Sequence, residues 1–118
     1  MSTYDYKKLE VWQRSMKFVV AVYSVCEKLP DYEKYSLADQ LRRASVSIPS
    51  NIAEGQKRAN KKETVQFTYV AISSLAEVET QLILASRLHG VKTDDLLTEC
   101  EIIGRMLTAL TNSLKRIK

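Results

Sequence analysis

The amino-acid sequence predicts an all-α fold: an antiparallel up-down-up-down four-helix bundle, kinked at Pro49 in its second helix, as a single domain over residues 1–118. Two observations predict it. Apolar residues recur at alternating spacings of three and four along four long segments, and short connections marked by Pro, Gly and capping residues separate those segments. No alternating strand pattern competes, and no internal repeat or low-complexity segment is visible. Four helices of roughly 20 to 28 residues with short connections pack as antiparallel neighbours around one core.

In the first segment Leu9, Trp12, Met16, Val19, Tyr23 and Cys26 keep the three-four spacing, so a helix is expected from about Tyr6 to Leu29 with this row inward. Pro30 ends it, because proline cannot donate to the helical ladder and pushes Leu29 out of the α region. A second apolar row, Val11, Phe18, Val22, Val25 and Leu29, runs beside the first. Together the rows cover about half the circumference, against the roughly 100° of an ordinary core-facing stripe. Such a surplus is either a wide core face or a helix-to-helix contact with another subunit. On the second reading Val11, Phe18, Val22 and Val25 are the candidate oligomer interface.

Ser36 is the expected N-cap of the second helix, with Asp39 near the positive end of its dipole. Leu37, Leu41, Ala44, Ile48 and Ile52 form its buried stripe. Pro49 lies inside that pattern, where it removes one backbone hydrogen bond and crowds the carbonyl of Ser45, so a bent helix follows rather than two helices. The small residues Ala44, Ser45, Ser47, Ala53 and Gly55 let a neighbouring helix come close around the bend.

Asn60 with Glu63 has the spacing of a capping box and opens the third helix. Val65, Tyr69, Ile72, Leu75, Leu82 and Ile83 are expected inward, and Gly90 suits the left-handed position after the last turn. Thr93, followed by Asp94 and Asp95, opens the fourth helix, whose stripe is Leu96, Cys100, Ile103, Leu107, Leu110, Leu114 and Ile117.

Composition narrows the function classes. The hydrophobic fraction is 45% and the charged fraction 27%, which fits a globular chain. No apolar run approaches the roughly 18 residues needed to span a bilayer, and Met1 to Lys8 is polar rather than signal-like, so a soluble, cytoplasmic protein with no membrane role is expected. The formal charge of +4, from 18 Lys and Arg against 14 Asp and Glu, permits a polyanionic partner without demanding one.

Catalytic constellations are missing. The single histidine, His89, falls at a helix end with no acid placed beside it by sequence, which fits dipole capping better than acid-base work. Arg87 lies too close before it for the arginine–histidine spacing of all-α HEPN ribonucleases. Glu77 and Glu79 lack the Glu-x-x-His partners that bundle metal sites use, and Cys26 and Cys100 have no CxxC or histidine neighbour. No enzyme, metal or cofactor is therefore expected. Glu79 falls on the inward stripe, where an unpaired charge is costly. It either pairs with Arg42 or Arg43 or reaches solvent at the bundle's edge. Basic residues gather at Arg42 and Arg43 and again at Lys57, Arg58, Lys61 and Lys62. Such patches are the electrostatic footprint of phosphate binding, and equally an ordinary solvated helix end.

The stretch from Gln40 to Gly55, QLRRASVSIPSNIAEG, closely resembles the hallmark segment of a bacterial family of four-helix bundles, the 23S rRNA intervening sequence proteins. Leu9-Glu10-Val11-Trp12-Gln13 resembles that family's opening, Leu29-Pro30 with Glu33-Lys34-Tyr35 its first turn, and Phe67 with Ser74-Leu75-Ala76-Glu77-Val78-Glu79 its third helix. The resemblance implies a homopentameric barrel. It is similar to the accessory variability determinant of diversity-generating retroelements, which assists a reverse transcriptase and has a basic surface compatible with nucleic acid.

The expectation is thus a non-enzymatic homo-oligomer that touches RNA or DNA through Arg42, Arg43, Lys57, Arg58, Lys61 and Lys62. The alternative is a scaffold that docks a partner enzyme such as a reverse transcriptase. Pro49, Asn51, Gly55 and Glu79 are read as structural, since a kinked helix with small residues and a buried Asn is explained by packing.

Overall fold

Each amphipathic segment forms a helix in a computed structural model of the chain, which describes residues 5–116. A 3-10 turn, Tyr6–Lys8, precedes α1 (Glu10–Glu27). A second, Asp31–Glu33, precedes α2 (Leu37–Gln56), and α3 (Lys61–His89) and α4 (Asp94–Arg116) follow. Consecutive helices pack together and α4 closes against α1, giving a rod of 48 × 21 × 20 Å. The fold is the all-α four-helix bundle that the three-four spacing predicts.

Local chemistry sets the helix ends. The chain does not enter α1 directly at Tyr6: Asp5 accepts the Lys7 N–H at 3.0 Å and closes a separate turn, and extended Leu9 breaks it from the helix. Gln13 ties the turn back by donating to the Lys7 carbonyl at 2.8 Å. Ser36 occupies the N-cap of α2, but its side chain bonds nothing there. The Glu33 carboxylate accepts the Leu37 N–H instead, at 3.3 Å. At α3 Asn60 caps the helix, with Glu63 N–H donating to Asn60 Oδ1 at 2.9 Å, and the Glu63 carboxylate accepts from the Asn60 side-chain amide at 2.7 Å rather than from its backbone N–H. Gly90 ends α3 at φ 68°, and its N–H donates to the Ser86 carbonyl. Thr93 lies just before α4, and its buried hydroxyl donates to the Leu82 carbonyl at 3.3 Å.

The core corrects the reading of α1. Val11, Phe18, Val22 and Val25, with Leu29, face the interior, whereas Met16 and Tyr23 stand outside it and Trp12 and Val19 sit at its edge. Val22 is 0% exposed and Met16 44%. The four residues expected at a subunit interface are therefore spent inside the bundle. The row that turns inward keeps the three-four spacing through a polar position: Val11, Ser15, Phe18, Val22, Val25 and Leu29, with the buried Ser15 hydroxyl donating back to the Val11 carbonyl at 2.7 Å. Beside that row, Arg14 pairs with Glu99 of α4 through two bonds of 2.8 and 3.0 Å. The pair also holds the Arg14 guanidinium pKa above its ordinary value, through the hydrogen bond first and the charge second.

In α3, Leu75 and Leu82 are buried as expected, while Val65 and Ile72 are half-buried and Tyr69 and Ile83 exposed. Thr64, Thr68, Ala71, Ser74, Val78 and Ala85 take the interior positions. They are small because α2 and α3 approach closely. A Cβ on Gly55 would lie 3.0 Å from Phe67 Cβ and 3.2 Å from the Thr64 carbonyl oxygen. Along the same seam the Thr64 hydroxyl donates to the Gly55 carbonyl at 2.8 Å, and Ser47 and Ser74 share a 2.8 Å bond. Asn51, half-buried, donates to the Ser47 hydroxyl and carbonyl at 2.9 and 2.8 Å. The helix runs unbroken through buried Pro49, from Leu37 to Gln56. In α4, Cys100, Ile103 and Leu107 are buried, Leu96, Leu110 and Leu114 are half-buried, and Ile117 lies outside the described residues.

Glu79 is half-buried and forms no ion pair among the described residues, so the expected pairing with Arg42 or Arg43 fails. Those arginines are engaged elsewhere: Arg42 donates to the Lys34 carbonyl at 2.8 Å, and Arg43 to Asp39 at 3.0 Å.

Candidate nucleic-acid interface

The antiparallel topology decides which basic residues meet. The Tyr6–Lys8 turn, the end of α2 and the start of α3 come to one pole of the rod, and α4 ends toward it. Contacts across that pole confirm it. Lys57 Nζ lies 5.9 Å from the Tyr6 ring centre, Lys115 reaches Tyr69, and Arg58 approaches Glu63 at 4.0 Å. Lys7, Lys8, Lys57, Arg58, Lys61 and Lys62 gather there, against Asp5, Glu10, Glu54 and Glu63, and Lys115 and Arg116 end α4 about 12 Å along the rod, where Lys115 meets Tyr69. The positive end of the α3 dipole adds to their field.

Four of the six expected contact residues, Lys57, Arg58, Lys61 and Lys62, belong to this pole. Arg42 and Arg43 do not. At 1.5 Å per residue about 22 Å of helix separates Arg42 from Lys57, and the bond to Lys34 places Arg42 beside the opposite pole. Arg58 is partly committed as well, bonding Glu54 at 2.6 Å and lying 4.6 Å over the Phe67 ring. Lys57, Lys61 and Lys62 are exposed. Sequence reading missed Lys7, Lys8, Lys115 and Arg116, which are far from them along the chain. The up-down-up-down topology itself was the signal that would have brought them together.

The opposite pole is built differently. His89 Nε2 lies 2.7 Å from Glu33 Oε2, with the two side chains only 10% and 13% exposed, and Tyr32 packs edge-on against the imidazole at 5.8 Å. The histidine therefore has an acid partner that its sequence neighbourhood does not reveal. That carboxylate is held below its ordinary pKa, first by the His89 hydrogen bond and then, against burial, by the Leu37 N–H. Both groups are committed to joining the end of α3 to the start of α2.

Nearby, an open cleft of about 390 Å³ is bordered by Tyr23, Cys26, Lys34 and Arg42. The Cys26 thiol is pushed up by burial, with Arg42 opposing, and donates to the Ala38 carbonyl. Burial pushes the Cys100 thiol up to about 12. Neither is a ready thiolate nucleophile at neutral pH. Among the described residues no three His, Cys, Asp or Glu side chains converge on a position for a metal ion, and no helix is long and apolar enough to cross a membrane.

Fold and surface together define a small all-α bundle whose most distinctive feature is a basic pole rather than an enclosed cleft. The chain belongs to the family of the 23S rRNA-intervening sequence protein, whose model matches residues 7–109. Its fold is similar to the crystal structure of a protein of unknown function from the S23 ribosomal protein family of Bacteroides thetaiotaomicron. The TM-score is 0.79 at 20% identity, over 86% of this chain and 97% of that one. No curated protein matches the sequence.

Proposed function

We propose that the protein is a non-enzymatic, cytoplasmic homo-oligomer that associates with nucleic acid through its basic pole. The observation that carries this reading is the convergence of Lys7, Lys8, Lys57, Lys61 and Lys62 from three separate chain segments toward one end of the rod, with Lys115 of α4 about 12 Å further along. A concentrated field of one sign is what phosphate backbones respond to.

Self-association rests on the apolar surface left over by the core. Met16, Val20, Tyr23 and Val46 are exposed on α1 and α2, and Leu84 and Leu88 near the end of α3. Two different apolar surfaces on one subunit suit a head-to-tail contact, which closes into a ring when the rotation permits. The resemblance implies five copies. The same surfaces also favour a second reading, a scaffold that docks a partner enzyme such as a reverse transcriptase.

Light scattering at low and high salt, with and without a short structured RNA, tests the first reading. A pentamer that gains mass with RNA only at low salt supports it. A pentamer indifferent to RNA leaves the scaffold reading, and a monomer removes the proposed ring.

A further inference from the structure

We infer that the cleft beside Tyr6 is a single-strand site, in which an unpaired base stacks on the Tyr6 ring while Lys7 and Lys57 hold the flanking phosphates. This inference rests on the proposed nucleic-acid role and deepens it.

The cleft lies between the Tyr6–Lys8 turn and the last turns of α2, with a volume of about 610 Å³ and walls that include Tyr6, Ser50, Ala53 and Lys57. Tyr6 is half-buried and stands outside the buried core. Its ring has a packing neighbour. Trp12 packs edge-on against it, with centres 5.4 Å apart and planes at 68°. Asp5 and Gln13 pin the backbone of the turn that carries it. An aromatic surface fixed before binding loses little freedom when a base covers it.

Charge sits where a nucleotide needs it. The ammonium groups of Lys7 and Lys57 both lie 5.9 Å from the Tyr6 ring centre. A base sliding over the ring displaces one of them toward its own phosphate. Glu54, in the same wall, is already neutralised by Arg58 at 2.6 Å and does not oppose that phosphate. An aromatic face bordered by lysine ammonium groups is the recognition chemistry of single strands, whose bases are free to stack on protein. A duplex hides its base faces inside its own stack, so it reaches the lysines but not Tyr6.

The test uses the full chain and labelled oligonucleotides of about ten nucleotides: oligo-dT, oligo-U and a duplex. Anisotropy at about 50 mM salt reads affinity, and the emission of Trp12, the chain's single tryptophan, reads the cleft itself. Single strands are expected to quench Trp12, and the duplex is not. Tyr6→Ala is expected to weaken single-strand binding about tenfold with duplex binding unchanged, and Tyr6→Phe to keep wild-type affinity. The stronger of oligo-U and oligo-dT assigns the site to RNA or to DNA.

If Tyr6→Ala disturbs the helical circular dichroism, Lys57→Ala read through Trp12 quenching replaces it, with quenching expected to need more oligonucleotide. Binding that leaves Trp12 unmoved, or that ignores Tyr6→Ala while Lys57→Glu still weakens it, overturns the stacking site and leaves the basic pole standing. No binding of any oligonucleotide overturns both.

Discussion

Glu33 and His89, 56 residues apart in sequence, meet through a 2.7 Å hydrogen bond at the pole opposite the lysines. The same carboxylate accepts the Leu37 N–H at 3.3 Å, so one side chain caps the start of α2 and fastens the end of α3 to it. The N-terminal cap that Ser36 is placed to supply comes from Glu33 instead, three residues earlier, and the connection after Pro30 is tied to the end of α3 at the same pole.

The pH dependence of stability follows from this arrangement. The Glu33 carboxyl is held below its ordinary value of 4.5, chiefly by the His89 hydrogen bond. The native state therefore binds this proton less readily than the unfolded chain. The stabilisation is fully present above about pH 5 and is lost as pH falls through 4.5 and on through the lower folded value. Glu33→Gln should lower Tm at pH 7, and its difference from wild type should shrink as the buffer is taken below pH 4. A difference that stays constant across that range would show that the carboxylate charge is not what stabilises the connection.

Gly55 sets how closely α2 and α3 approach, since any Cβ there meets Phe67 Cβ at 3.0 Å and backbone at 3.2 Å. Gly55→Ala gains helix propensity, worth up to about 1 kcal/mol, but must push the helices apart or shift Phe67. Overpacking of this kind costs about 1–3 kcal/mol, so net destabilisation in urea titrations is expected. A variant more stable than wild type would mean that the seam relaxes freely.

How far the sequence revealed the bundle varies along the chain. The four helices, their order, the Asn60 cap and the Gly90 stop were legible because each depends on residues within a turn of one another. The rotation of α1 was not. Its two apolar rows flank the same sector, with Ser15 and Cys26 between them, and the row that is buried passes through Ser15, a polar position that a count of apolar residues skips. The interior of α3 was misjudged for a related reason. Close approach to α2 places Ala71, Ser74 and Ala85 inside and leaves Tyr69 and Ile83 outside, which a count of large apolar residues reverses. At the candidate site, Lys57 to Lys62 were visible as a local run, whereas Lys7 and Lys115 join them only through the topology.

The exchange of rows on α1 has a direct mutational signature. Phe18→Ala empties a fully enclosed site and should cost about 3–5 kcal/mol in equilibrium unfolding. Met16→Ala, on the exposed row, should change the stability of the dilute subunit by no more than about 0.5 kcal/mol. If the proposed ring uses this row, Met16→Ser or Tyr23→Ser should lower the solution mass while leaving the helical circular dichroism intact. Equal losses of stability at Phe18 and Met16 would contradict the observed rotation.

On the proposed nucleic-acid role, the basic pole should set the salt dependence of binding and the arginine pair should not. Each lysine that neutralises a phosphate releases condensed counterions and contributes roughly 0.7–0.9 to the slope of log K against log salt. Lys57, Lys61 and Lys62 are exposed at one pole, and replacing all three with Ala should reduce the magnitude of that slope by about two. Arg42 and Arg43 stand toward the other end, bonded to the Lys34 carbonyl and to Asp39. Their double replacement should leave the slope unchanged and lower Tm instead, because Arg42 ties α2 to the preceding connection. Titrations of both variants against one oligonucleotide at several salt concentrations separate the two effects. A slope that falls for the arginine variant and not for the lysine variant would move the interface to the Glu33–His89 pole.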